Sequence, residues 1–372
     1  MQNSSNQKWS VRMADSEMIR EPLKLKKWGA YDSGVVLKGI EQVWRETKDQ
    51  KYFDYVKKNV DEYVEADGNI RTYDLEEYNI DQINNGKLLL MLYRETGLEK
   101  YKKAAYLQRE QLKTHPRTSE GGFWHKMIYP HQMWLDGIFM GSPFYAEFAK
   151  LFNEPEIFDD VALQVTLIAK HTKDPKTGLF YHGWDESKEQ KWADPETGVS
   201  PNFWGRAMGW YAVAIVDILD FLPENHPQRQ EIIHIFQGLV DAVLKVQDKA
   251  TGLWYQVLDQ GDREGNYHEA SASAMFVYAI AKGVRKGYLG QKYLEAAQKG
   301  FDGIINNLIQ IDEQGLVNLT QVCTVSGLGR TAPENPYRDG SFEYYISEPV
   351  ATNDPKGVGA FILASIEMEK VG

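Results

Sequence analysis

Apolar residues recur at helical spacing along most of the chain, and the alternation expected of strands is weak. Two kinds of helix can be told apart. One kind carries an apolar stripe and a charged face: "KYFDYVKKNVDEYV", "KYKKAAYLQREQLKTH", "EIFDDVALQVTLIAKHT", "RQEIIHIFQGLVDAVLKVQ" and "QKYLEAAQKGFDGIINNLI". The other is apolar on most sides and rich in small residues: "WGAYDSGVVLKGIEQVWRETKD", "IDQINNGKLLLMLYRETG", "QMWLDGIFMGSPFYAEFAKLF", "FWGRAMGWYAVAIVDILDFL", "HEASASAMFVYAIAKGVRKG" and "NDPKGVGAFILASIEMEK". The two kinds alternate. Small residues let helices approach closely, so the second kind forms an inner layer and the first an outer one.

A short glycine-centred segment precedes five of the six inner helices: "EADGNIRTY", "EGGFWHKMIY", "KTGLFYHGWDE", "ATGLWYQVLDQ" and "EQGLVNLTQV". A helix around Ser10 to Arg20 has no local partner, and the last inner helix lacks an outer one. Each completes the other if the layers close. The pattern therefore predicts an all-α fold, an (α/α)6 barrel of six inner and six outer helices, rather than an open solenoid. Residues 1–372 are expected to form this one domain. Its loops then gather on one face.

Composition narrows the function. The net charge is −11, which argues against a nucleic-acid partner. One cysteine, Cys323, excludes an intramolecular disulfide and a cysteine-rich zinc site. The N-terminal segment lacks the apolar run of a signal peptide, and no stretch is long enough to span a membrane, so the cytoplasm is the expected location. Aromatic residues make up 12% of the chain, which suits either large core layers or a sugar-stacking surface.

The chemistry centres on "GGFWHKMIYPHQMWLDGIFMG", where Asp136 is a lone acid among apolar residues. Asp81 lies at the start of the preceding inner helix, and Tyr31 and Asp32 open the first. Each acid has a structural reading as a helix cap. The cap reading is weaker for Asp136, because Met133 to Leu135 already look helical. Two carboxyls in one pocket push each other's pKa apart, and aromatic neighbours raise both by desolvation. Arg206 and Trp210 lie one helical turn apart, and a guanidinium suits a carboxylate ligand, although it also suits a surface salt bridge. Trp134, Trp204 and Trp210 are sugar platforms or core. His125 and His182 are hydrogen-bond donors to hydroxyls or structural. No HExxH spacing and no GxSxG elbow occurs, so no metal, no other cofactor and no serine nucleophile is expected.

In combination, "YPHQMWLDGIFMGSPF", "DPKTGLFYHGWDE", "SPNFWGRAMGWY" and "ATNDPKGVGAFILA" resemble the unsaturated rhamnogalacturonyl hydrolases, glycoside hydrolase family 105. A looser form of these motifs occurs in the unsaturated glucuronyl hydrolases of family 88. The resemblance implies an (α/α)6 barrel acting on small oligosaccharides that end in a 4,5-unsaturated uronic acid. It places the acid/base on Asp136 and the second acid on Asp81. Substrate contacts are implied at Tyr31, His125, Lys126, Tyr129, Trp134, His182, Arg206 and Trp210. Met127 and Ile128 depart from the smaller, more polar residues expected there. A glucuronyl hydrolase, a polysaccharide lyase and a non-enzymatic sugar-binding protein are the competing readings.

Overall fold

The computed structural model describes residues 7–372. Residues 1–6, the start of the segment read as lacking a signal peptide, lie outside the described residues. Six helices form the inner ring: α2 (Tyr31–Thr47), α4 (Gly86–Thr96), α6 (Leu135–Phe152), α8 (Gly205–Ile218), α10 (Ala270–Arg285) and α13 (Pro355–Val371). Each packs on the next, and α13 closes on α2. The outer set is α1 (Trp9–Arg20), α3 (Gln50–Asp61), α5 (Glu99–Thr114), α7 (Ile157–Thr172), α9 (Arg229–Lys245) and α11 (Leu294–Asn307). A short helix, α12 (Phe342–Ser347), lies before α13. The predicted barrel is therefore the observed one. No helix among the described residues is long and apolar enough to cross a membrane.

The two helix types behave as their patterns require. Every residue of α6 from Leu135 to Ala149 is buried. Helix α5 buries only Tyr101, Ala104, Ala105, Gln108, Gln111 and Leu112, a single stripe. The ring closes where the sequence left two unpaired ends. Ser10 in α1 donates from its amide and hydroxyl to Glu369 in α13, at 3.1 and 2.7 Å. At the α2–α13 seam the backbones are nearly in contact. A Cβ on Gly359 would stand 2.6 Å from Val35 Cγ1 and 2.8 Å from its carbonyl oxygen.

The glycine-centred segments are tight turns. Gly68, Gly121, Gly178, Gly252 and Gly315 have φ of 93°, 94°, 80°, 79° and 81°, a region L-residues avoid. In two of them an aspartate fixes the turn: Asp174 accepts from Thr177, and Asp248 from Thr251. The same device recurs at Asp194, Thr197 and Gly198, in the loop before α8.

Two boundaries differ from expectation. Gln132–Trp134 is a strand, β1, paired antiparallel with β2 (Gly183–Asp185). Three residues ahead of a helix, only two of them apolar, carry no periodic signal of their own, and pairing with β2 decides their shape. Ile80–Ile83 is a separate 3₁₀ turn ahead of α4. There Asn79 caps the Asp81 amide, and Asn85 donates to the carbonyl of Trp28 at 2.6 Å. Such side chains offer the backbone other partners than helix bonds.

Because the seam leaves no space for a methyl group, Gly359→Ala is expected to destabilise the protein by about 1–3 kcal/mol, the usual cost of overpacking. Urea denaturation measures this. Unchanged stability would show that α2 and α13 can separate without loss.

Candidate active site

The β1–β2 pairing and the 3₁₀ turn bring both acids to one histidine. His125 Nε2 lies 3.7 Å from Asp81 Oδ1 and 4.0 Å from Asp136 Oδ2. Its backbone is held on both sides: its amide donates to Gln132, and its carbonyl accepts from Ile80. The ring stacks on Trp134 at 4.3 Å between centroids. Gly137, beside Asp136, is explained here. A Cβ at that position would stand 3.0 Å from His125 Nδ1. The small residue next to the lone acid makes room for the imidazole.

Asp136 is the second residue of α6 and is 9% exposed. Its Oδ1 is buried, with no hydrogen-bond partner among the described residues. His182 Nε2 faces that oxygen at 3.6 Å. The other nitrogen of His182 meets the Tyr345 hydroxyl at 2.8 Å. With Tyr345 donating, the ring proton sits on Nε2 and points at Asp136. Lys126 holds Asp81 Oδ2 at 2.7 Å.

Other expected contacts fall differently. Trp134 and Trp210 are 4% and 2% exposed, too little for open sugar platforms. Trp134 lies under His125 and Tyr129, and Trp210 stacks on Phe139 at 4.3 Å. Both support the site instead of lining it. Tyr129 is likewise buried, whereas Tyr31 is only partly buried and meets Trp210 edge-on. Arg206 is no surface salt bridge. Its Nη1 donates to the Cys323 carbonyl and lies 3.8 Å from buried Glu269, and its Nε is buried without a partner among the described residues.

The model of Glycosyl Hydrolase Family 88 matches residues 3–372. The chain belongs to that family. Among solved structures, a family 105 glycoside hydrolase from C. acetobutylicum ATCC 824 is similar, with 52% identity and a TM-score of 0.95 over 98% of this chain and 100% of that one. Protein Atu3128 of Agrobacterium fabrum is 39% identical over 232 residues, 61% of this chain and 97% of the relative. The unsaturated rhamnogalacturonyl hydrolase YesR of Bacillus subtilis is 28% identical over 294 residues, 77% of this chain and 78% of that protein.

In this family 88 glycoside hydrolase, the charge state of Asp136 departs from expectation. Burial raises its pKa, but His125 and then His182 outweigh burial and hold the carboxyl at about 2. The reading that aromatic surroundings raise it is corrected accordingly: the neighbours that matter are the two imidazoles. Burial also lowers the pKa of His125, against the pull of Asp136 and Asp81. Lys126 is raised, since Asp81 more than offsets burial. Among the described residues, no three His, Cys, Asp or Glu side chains are grouped to hold a metal ion.

Sequence reasoning missed Tyr345, on the short α12, and Arg338. The latter is partly buried, close to Tyr129 and Tyr344, and without a carboxylate partner among the described residues. Neither lies in a periodic or repeated segment. A free arginine preceding an aromatic-rich short helix was the only available signal.

Two outcomes follow from this geometry. Arg206→Met removes the cation 3.8 Å from buried Glu269 and leaves that carboxylate only the donors of Ser271, Ala272 and Cys323, so a loss of about 3 kcal/mol is expected in chemical denaturation; a neutral result would mean that those donors suffice to hold Glu269. The second is pH-dependent. The folded pKa of Asp136 lies below its ordinary 3.8, so its carboxylate contributes stability above about pH 4 and loses it as pH falls through about 2. The stability difference between wild type and Asp136→Asn should shift by about 2 kcal/mol over that window. A pH-independent difference would show an unperturbed carboxyl.

Proposed function

We propose that this glycoside hydrolase releases a 4,5-unsaturated uronic acid from the non-reducing end of lyase-generated oligosaccharides, with the unsaturated galacturonyl-rhamnose disaccharide preferred. The observation that carries this reading is Asp136: a buried carboxylate with one free oxygen, set between two imidazoles and beside a second acid. The substrate choice is supported by the similarity to YesR, whose name states a rhamnogalacturonyl activity.

The C4=C5 bond makes the uronic acid a vinyl ether. Asp136 donates a proton to C4, and the ring oxygen stabilises the cation left at C5. Water then attacks C5, and the same carboxylate takes its proton. The resulting hemiketal opens to a ketone. The anomeric carbon is now a hemiacetal, and it collapses with loss of the aglycone alcohol. No group attacks the anomeric carbon, so carboxylate spacing rules for ordinary glycosidases do not apply.

Asp136 is ionised in the free protein, so the acid form belongs to the complex. The arriving uronate brings a like charge and excludes water, and both raise the carboxyl's pKa. Asp81, fixed by Lys126, orients the water or a sugar hydroxyl. His125 and His182 hold Asp136 in position. Arg206, 1% exposed and held by the Cys323 carbonyl and Glu269, backs the site from beneath without reaching the sugar, and Tyr31 gives a partly open aromatic wall.

The test is a panel of unsaturated di- and trisaccharides followed by loss of ultraviolet absorbance. The unsaturated galacturonyl-rhamnose should be the best substrate, and its saturated counterpart should be inert. Production of new absorbance from a saturated polymer would identify a lyase instead. Asp136→Asn should fold normally and lose ~10²–10⁴ of the turnover rate, the usual contribution of a general acid/base. Wild-type turnover in that variant would make Asp136 structural.

A further inference from the structure

At the end of the barrel opposite the loops lies a cavity of about 180 Å³, lined by residues from all six inner helices. Most of its charged side chains come from the C-terminal halves of those helices, such as Glu147, Asp217, Lys282 and Glu367. Helix carbonyl ends favour cations, and the cavity is correspondingly rich in them.

Its charges can be matched one by one. Lys282 holds Asp217 at 2.6 Å and Asp220 at 2.7 Å, and Lys286 also holds Asp220 at 2.7 Å. Arg285 holds Glu367 at 2.6 Å, and Arg94 holds Glu147. Lys38 turns to Glu41 at 2.9 Å, and Lys370 to Glu46 at 2.9 Å. Lys87 is left over. It is 6% exposed and has no carboxylate partner among the described residues. Its ammonium lies 4.0 Å from the centroid of Phe139, on the ring that stacks against Trp210 beneath the candidate active site.

The placement has a local cause. The 3₁₀ turn at Ile80–Ile83 delays the start of α4, so Lys87 is only its second residue and still lines the cavity together with residues near the far ends of the other inner helices. A buried cation with only an aromatic face for company is costly. Burial accordingly draws Lys87 down to about 7. Each carboxylate of the lining is already engaged, so an anion entering the cavity would be the group that favours the charged form of Lys87 over the neutral one.

We infer that this axial cavity is a binding site for a small monovalent inorganic anion, seated on the Lys87 ammonium. The volume admits a halide with accompanying water. The charge matching limits the ligand to about one negative charge, since Lys87 is the one lining cation without a carboxylate partner among the described residues.

Bromide serves as the probe. Crystals of the intact protein grown in sodium bromide should give an anomalous peak within hydrogen-bonding distance of Lys87 Nζ. In solution, replacing gluconate by bromide at constant ionic strength should raise the Tm of the wild type in a saturable way. Lys87→Arg should keep that rise and Lys87→Met should lose it. Absence of the anomalous peak overturns the proposal, as does an equal saturable rise in Lys87→Met. If Lys87→Met does not fold, the anomalous experiment on the wild type decides alone.

Discussion

The site depends on one buried imidazole. His125 sits between Asp81 and Asp136, and each acid comes from a different part of the ring. Removing it from water lowers its pKa, while the two carboxyls pull the other way. That balance leaves a polar group able to donate to either acid. Its position is fixed by features that have no chemistry themselves. Trp134 supplies a flat support, Gly137 supplies the space, and the strand β1 supplies the backbone bond through Gln132. The tryptophans near the site are therefore structural in the first place. They set the imidazole, and the imidazole sets the carboxylate.

The barrel provides the rest by symmetry of construction. Inner helices packed through glycine and alanine bring their N-terminal ends together, and five glycine turns return the chain to that face. Helix N-termini favour negative groups, which suits the carboxylate of Asp136 in the first turn of α6. The opposite face, formed by carbonyl ends, collects lysines and arginines paired with acids. The two ends of one ring thus carry opposite electrostatic problems, and at the loop end a buried oxygen of Asp136 is left without a partner among the described residues.

Much of this was legible in the chain. The contrast between "KYKKAAYLQREQLKTH" and "QMWLDGIFMGSPFYAEFAKLF" separates outer from inner helices, and the unmatched ends of the series predict closure. Asp136 and Asp81 stand out because a charge among apolar residues needs a reason. What was not legible is whatever depends on contacts distant in sequence. The strand at Gln132–Trp134 exists because Gly183–Asp185 lies beside it. Glu269 neutralises Arg206 across two helices, which no local spacing announces. Tyr345 reaches His182 from 163 positions away. The pKa of Asp136 was misjudged for the same reason: the aromatic neighbours are adjacent in sequence, and His182 is adjacent only in space.

The central claim is that the double bond, and not the anomeric carbon, is the point of attack. Nuclear magnetic resonance of the unsaturated disaccharide in heavy water, followed from the first turnovers, tests it most directly. The account predicts a single deuterium delivered to one face of C4, appearing in step with release of the aglycone. Release of the aglycone while the C4=C5 bond is still intact would contradict it.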